Sequence, residues 1–351
     1  MKKASRRKIA LAALVLVAAL AAAAYLWFRR PDYELVDLGS LGGSYATATA
    51  VNDRGQVVGW GTIADRSHRA FVWQPGKGMT IIETLGGRNS FAHDINNKGR
   101  VAGNADTPDG ANHAFIWDPN SGFTDLGTLG GKKSRATAIN DRDQVVGYAD
   151  ANDGRAHAFL WHKDTGMTDL GTIYGIRSYA RDINNRGQVV GSVAVPTKRD
   201  HAFYWDPDTG MIDIVGPNGV SSYATGINNA GRVVGNIYIP RIINYAGFAW
   251  QKGKPLKTLK LADAESYTDK INDRGQIIGR LRSNKFLFFP AETYHFLRPK
   301  FGRMVNLNKF APDETDEIFA VDINNSGWIA GRIRTKSRKQ PPDRAILLRP
   351  R

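Results

Sequence analysis

No cysteine occurs in the 351 residues, which excludes disulfides, thiolate metal sites and a lipidated N-terminal cysteine. Stability must come from buried side chains, and a chain of this length can supply them. Acidic residues also run short, 33 against 48 Lys and Arg, for a formal net charge of +15. That deficit sits at the two ends. Lys2, Lys3, Arg6, Arg7, Lys8, Arg29 and Arg30 flank an N-terminal segment, and 332–351 holds eight basic residues against Asp343 alone. Between them, Pro31–Gly331 carries 33 basic and 32 acidic residues. A body so nearly neutral offers no basic stripe, and nucleic acid is not expected as a partner.

One long apolar run is present, Ile9–Phe28, 20 residues that are all apolar or small. As a helix it would be about 30 Å long, the thickness of a bilayer's hydrocarbon core. Basic residues before and after it predict a cytoplasmic N-terminus and an exported remainder. Ala21–Ala24 leaves a cleaved signal peptide as the alternative. Residues 1–30 are therefore read as a membrane anchor or signal segment, and 31–351 as one domain.

What fills that domain is a repeat. Ile-Asn, once Val-Asn, recurs at Asn52, Asn96, Asn140, Asn184, Asn228, Asn272 and Asn324, at intervals of 44 residues and finally 52. A period in the forties made of short strand-like runs marks a β-propeller, each unit one four-stranded blade. The third unit reads most clearly: strand A at Ser134–Asn140, B at Gln144–Ala149, C at His157–Trp161 and D at Met167–Gly171. The Asn-x-x-Gly step between A and B suits a tight turn whose last residue is left-handed, and Asp143 stands where other units have Gly. A Trp recurs on strand C at Trp73, Trp117, Trp161, Trp205 and Trp250, with Phe288 and Leu348 assigned to the same position; this column predicts core between blades.

The ends of the repeat are complementary. The seventh unit has strands A, B and C but no D, while Tyr33–Gly39 is a spare D strand ahead of the first unit. The expected fold is all-β, a seven-bladed propeller closed by its N-terminal strand and preceded by one helix.

These units resemble the HAF-repeat family, through His-Ala-Phe at His113, His157 and His201, Leu-Gly-Gly at Leu41, Leu85 and Leu129, the Ile-Asn-x-x-Gly turn and the Phe-x-Trp strand. The likeness weakens in the last three units, where Ala246, Asn284 and Arg344 are aligned with the His. It implies a probable extracellular repeat protein and no particular activity.

The chemical motifs are sparse. Histidines on the third strand of adjacent blades would lie more than about 10 Å apart, too far to share a metal whose bonds are about 2.1 Å. Asp182-x-Asn184-x-x-Gly187 has the outline of a calcium loop, but Arg186 occupies a position that needs an oxygen ligand. No metal, cofactor or catalytic set is assigned. With A innermost, the loops B–C and D–A share one face, and the residues five before each turn Asn ring the channel mouth there. Phe91, Arg135, Tyr179, Tyr223, Tyr267 and Phe319 are the candidate ligand-binding residues. Arg334, Lys336, Arg338 and Lys339 form a candidate partner-binding basic loop on the same face. The reading is a monomeric, membrane-tethered binding or scaffolding module of the cell envelope, for a glycan, peptide or protein. A propeller hydrolase or lyase with a pore-centred site is the alternative.

Overall fold

The computed structural model describes residues 32–197, 199–216, 219–240, 243–259, 265–282, 293–313, 316–335 and 343–351. The N-terminal apolar segment lies outside them, as do Asn284, Phe288, Lys336, Arg338 and Lys339.

The repeated turn organises everything else. Asn140 Oδ1 accepts the amides of Arg142 and Gln144, both at 3.0 Å, which bends the chain from strand A into strand B. The turn closes on a left-handed residue, φ 76° at Gly55 and 62° at Asp143, a conformation that Gly and Asp tolerate best. In the third unit the strands are Gly130–Ile139, Val145–Ala151, Ala156–His162 and Gly166–Gly171, each antiparallel to the next. Among the described residues there are five four-stranded sheets in this order and one eight-stranded sheet, in which the Lys133–Asn112 bridge joins the second and third units.

Strand A carries a bulge in each unit, between Ala136 and Ala138 in the third. The bulge brings a strand A carbonyl against the Val-Val-Gly of strand B. A methyl group on Gly147 would strike the carbonyl oxygen of Arg135, and Gly59, Gly103, Gly191, Gly235, Gly279 and Gly331 meet the equivalent carbonyl. Opposite those glycines lie Phe71, Phe115, Phe159, Phe203, Phe248 and Phe296, all fully buried between sheets. Each contributes roughly 2–3 kcal/mol through burial. The recurrent Trp side chains pack half-buried against the same layers.

Strand A is innermost. Thr49 Oγ1 donates to the Ala92 carbonyl of the next strand A at 3.0 Å, and Thr137 does the same to Ala180. Farther out, the first Ser of one strand A takes the amide of the preceding unit's strand C, as Ser178 does for Ala158 at 2.8 Å. The ring then closes on itself. Each turn Asn donates from Nδ2 to the next turn Asn's carbonyl at 2.8–3.2 Å, through all seven positions, and Asn324 returns to Asn52.

The closing strand is where the sequence places it. Tyr33–Gly39 pairs antiparallel with Asp343–Pro350, completing a sheet with Ile329–Arg334 and Glu317–Ile323. Strand C of the sixth unit is a correction. It runs Thr293–Arg298, with Tyr294, Phe296 and Arg298 opposite Leu281, Gly279 and Ile277. Tyr294 and Arg298 thus hold the positions assigned above to Asn284 and Phe288. This unit is eight residues longer than the others, and the apolar run Phe286–Phe289, outside the described residues, carries the strand C pattern in the sequence.

Candidate functional site

The turn end of the channel is a polar funnel. Its cavity of about 160 Å³ is lined by the turn Asn residues and their neighbours on either side. The residues after the turn Asn form a rim: Asp53, Asn97, Asp141, Asn185, Asn229, Asp273 and Asn325. Each donates its amide to the next side chain's Oδ1 at 2.7–2.9 Å, around the full circle. Asp and Asn alternate, so each carboxylate has amide neighbours. Seven positions cannot alternate perfectly, and the one like pair is Asn185–Asn229, not two acids.

A second tier lies two residues before each turn Asn. It holds Asp94, Asp182 and Asp322, in units whose rim residue is Asn. Each accepts the backbone amide of the next unit at 2.8–2.9 Å: Ile139, Ile227 and Val51 respectively. Lys270 sits in the same tier, 3.0 Å from Asp182. Burial raises Asp94 to about 7, with Lys270 pulling the other way. Burial raises Asp322 too, again eased by Lys270. Burial opposes the charge on Lys270, but Asp182, Asp322 and Asp94 outweigh it and hold the ammonium above its ordinary value. This tier was not singled out from the sequence. Three Asp and one Lys in a column otherwise Ala or Gly is a signal that aligning the units would have exposed.

The opposite mouth is aromatic and cationic. Phe91, Tyr179, Tyr223, Tyr267 and Phe319 occupy equivalent places on strand A and are half-buried, while Arg135 is exposed. They do not stand free in the opening. Phe91 meets Trp60 and His68 of the first unit, and Tyr179 meets Tyr148 of the third. Tyr245 lies between Tyr223 and Tyr267, and His295 packs on Phe319. Phe91, Tyr179, Tyr267 and Phe319 thus pack against the preceding unit, while the Tyr223–Tyr245 contact lies within the fifth. Arginines lie over these rings: Arg181 5.3 Å from the Tyr223 centroid, Arg280 4.8 Å from Tyr267 and Arg332 4.3 Å from Phe319.

Their field marks the titrating groups below. Burial, then Arg280 and Arg332, lower His295 to about 4. Burial, then Arg135, lower His93 to about 3, against the effect of its bond to Asn104 Oδ1 at 2.6 Å. Burial raises Asp269 to about 6, opposed by Arg280. The turn-end cavity thus holds three carboxyl groups with Lys270, and the opposite mouth holds guanidiniums over aromatic rings.

The remaining predicted residues have local partners. His113, His157 and His201 each place Nδ1 within 2.8–2.9 Å of a strand D carboxylate, Asp125, Asp169 and Asp213. Arg344 bonds Asp37 of the closing strand in the same way. Asp182 faces Lys270, not the turn at Asn184–Gly187. Arg334 is drawn to Asp343 at 3.5 Å and lies 5.1 Å from the Phe319 ring, so it belongs to the mouth and not to a loop apart.

Residues 176–255 match a family model described as a protein of unknown function, DUF3466. No curated protein matches the chain. Among solved structures, the β-propeller domain of the Trilobed protease from Pyrococcus furiosus is similar at TM-score 0.62 and 12% identity, over 87% of this chain and 95% of that one. The acylaminoacyl peptidase of Pyrococcus horikoshii gives 0.59 and 12%, over 89% of this chain; the match spans 52% of the peptidase. YCF48 bound to D1 peptide gives 0.51 and 11%, over 92% and 97%. At these identities the likeness defines the fold, a β-propeller.

Proposed function

We propose that the chain is a seven-bladed propeller that acts as an extracytoplasmic, membrane-tethered binding module, in keeping with its HAF-type repeats. The seven mutually bonded turn asparagines support the blade count. The observation that carries the binding reading is the contrast between the two ends, with aromatic rings and arginines gathered on the face of the B–C loops. The Tyr33 hydroxyl donates to the Gly327 carbonyl at 3.0 Å, so the closing strand begins at the turn face. A tether through residues 29–32 would hold that face toward the membrane and turn the aromatic mouth outward.

The test is capture of envelope proteins and polymers by the full-length chain and by Y179A/Y267A. The wild type should retain a partner that the variant loses. An identical captured set would contradict the reading.

A pore-centred hydrolase or lyase is the second reading, favoured by Asp94, Asp182, Asp322 and Lys270 in one cavity. Against it, each carboxylate already holds an amide of the next unit. This reading requires the captured partner to be cleaved, and cleavage to stop in D94N.

A further inference from the structure

Around the sixth unit the mouth carries more than packing. Tyr223 and Tyr267 lie on neighbouring strands A, linked through the Tyr245 ring at 6.3 and 5.5 Å. Arg181 and Arg280 lie over the two outer rings. Among the described residues neither guanidinium lies within ion-pair distance of a carboxylate, although Arg282, Arg332 and Arg334 do, at Glu265 and Asp343. Burial raises the Tyr223 hydroxyl, and the charges of Arg280, Tyr267, Asp269 and Arg181 act on it as well. Beside them Tyr267, Arg280, Arg282 and Thr293 line a recess of about 360 Å³.

We infer that Arg181, Arg280, Tyr223 and Tyr267 form a docking site for an acidic peptide segment of a protein partner. The inference rests on the binding reading above and names its ligand class. Two exposed guanidiniums held by ring faces are pre-oriented forks for carboxylates, so less side-chain entropy is lost on binding. Tyr and Arg are also the residues that dominate protein-recognition hot spots. A neutral sugar would need several acceptors for its hydroxyl protons. Here Glu265 is already paired with Arg282, and the Asp269 carboxyl is pushed up by burial against the pull of Arg280, so a glycan fits less well.

The test uses the full-length chain in detergent with three fluorescent probes: hexaglutamate, hexalysine and oligogalacturonate. Hexaglutamate should bind saturably. R181A/R280A should weaken it at least about tenfold, in line with loss of two charge-assisted contacts. R54A/R274A removes the same charge from the turn face and should leave affinity within about twofold, because screening limits its reach to about 10 Å. R280K, which keeps charge without the fork, should fall between. Failure of hexaglutamate to bind, or equal affinity in R181A/R280A, overturns the inference. Tighter binding of oligogalacturonate that depends on the same two arginines overturns the peptide assignment while leaving the binding reading intact. Equal thermal midpoints of R181A/R280A and R54A/R274A exclude misfolding as the cause.

Discussion

At the scale of the residue, one amide does two jobs in each turn Asn. Its oxygen shapes the turn, and its Nδ2–H reaches the next unit, so a local turn signal is also an inter-unit bond. Only the first job was readable from the sequence, because spacing reports the turn chemistry while the bond spans 44 residues. Neighbouring His93 and Asp94 show how burial then sets pH dependence with opposite signs. Asp94 rises from its usual carboxylate range to about 7, so its contribution to stability is full below about 4 and is lost as pH climbs through 7. His93 falls from 6.5 to about 3, so its contribution is present above 6.5 and is lost as pH drops toward 3. The two slopes oppose each other between pH 4 and 6.5. H93Q keeps a donor for Asn104 but removes one slope. The stability advantage of wild type over H93Q should therefore shrink on acidification from pH 7 to 5, by up to about 1.4 kcal/mol per unit. Unfolding midpoints across that range measure it, and a constant difference would refute the assignment.

At the scale of the element, the closing strand was predictable because both ends of the repeat are incomplete in matching ways. Its side chains confirm the register. Asp37 caps the Gly39 amide at 2.9 Å and receives Arg344, as Asp169 caps Gly171 and receives His157. Arg349–Glu34 adds an exposed pair at 2.8 Å, worth little by itself. Deleting Tyr33–Gly39 exposes Ile346 and Leu348 and leaves an open edge. A marked fall in thermal midpoint is expected, largely restored when the seven residues follow Arg351 on a short linker. An unchanged midpoint after deletion would contradict the closure. The sixth unit marks the limit of pattern reading. Its strand C is fixed by pairing with Ile277–Arg282, and the apolar run Phe286–Phe289 carries the same pattern in the sequence.

At the scale of the whole molecule, the channel has direction. Asp94, Asp182 and Asp322 share the turn-end cavity with Lys270, and Arg181, Arg280 and Arg332 lie over the rings of the opposite mouth, although the body between Pro31 and Gly331 is nearly neutral. Composition could not reveal this, since it averages over both ends. The aromatic column was visible in sequence, five residues before each turn Asn. Its packing against second and third strands was not, because those contacts, Tyr223–Tyr245 apart, cross between units. The acidic tier was missed for a related reason: its Asp residues occur in only some units, and a search for what every unit shares passes over them.

The measurement that bears most directly on the central claim is photo-crosslinking in intact cells from the two faces of the full-length chain. A crosslinking amino acid replaces Tyr179 at the aromatic mouth in one variant and Asp164, in the turn between strands C and D, in the other. The account predicts a discrete partner adduct from position 179 that disappears in the R181A/R280A background, and none from 164. An adduct from 164 alone, or one from 179 that survives loss of both arginines, would contradict it.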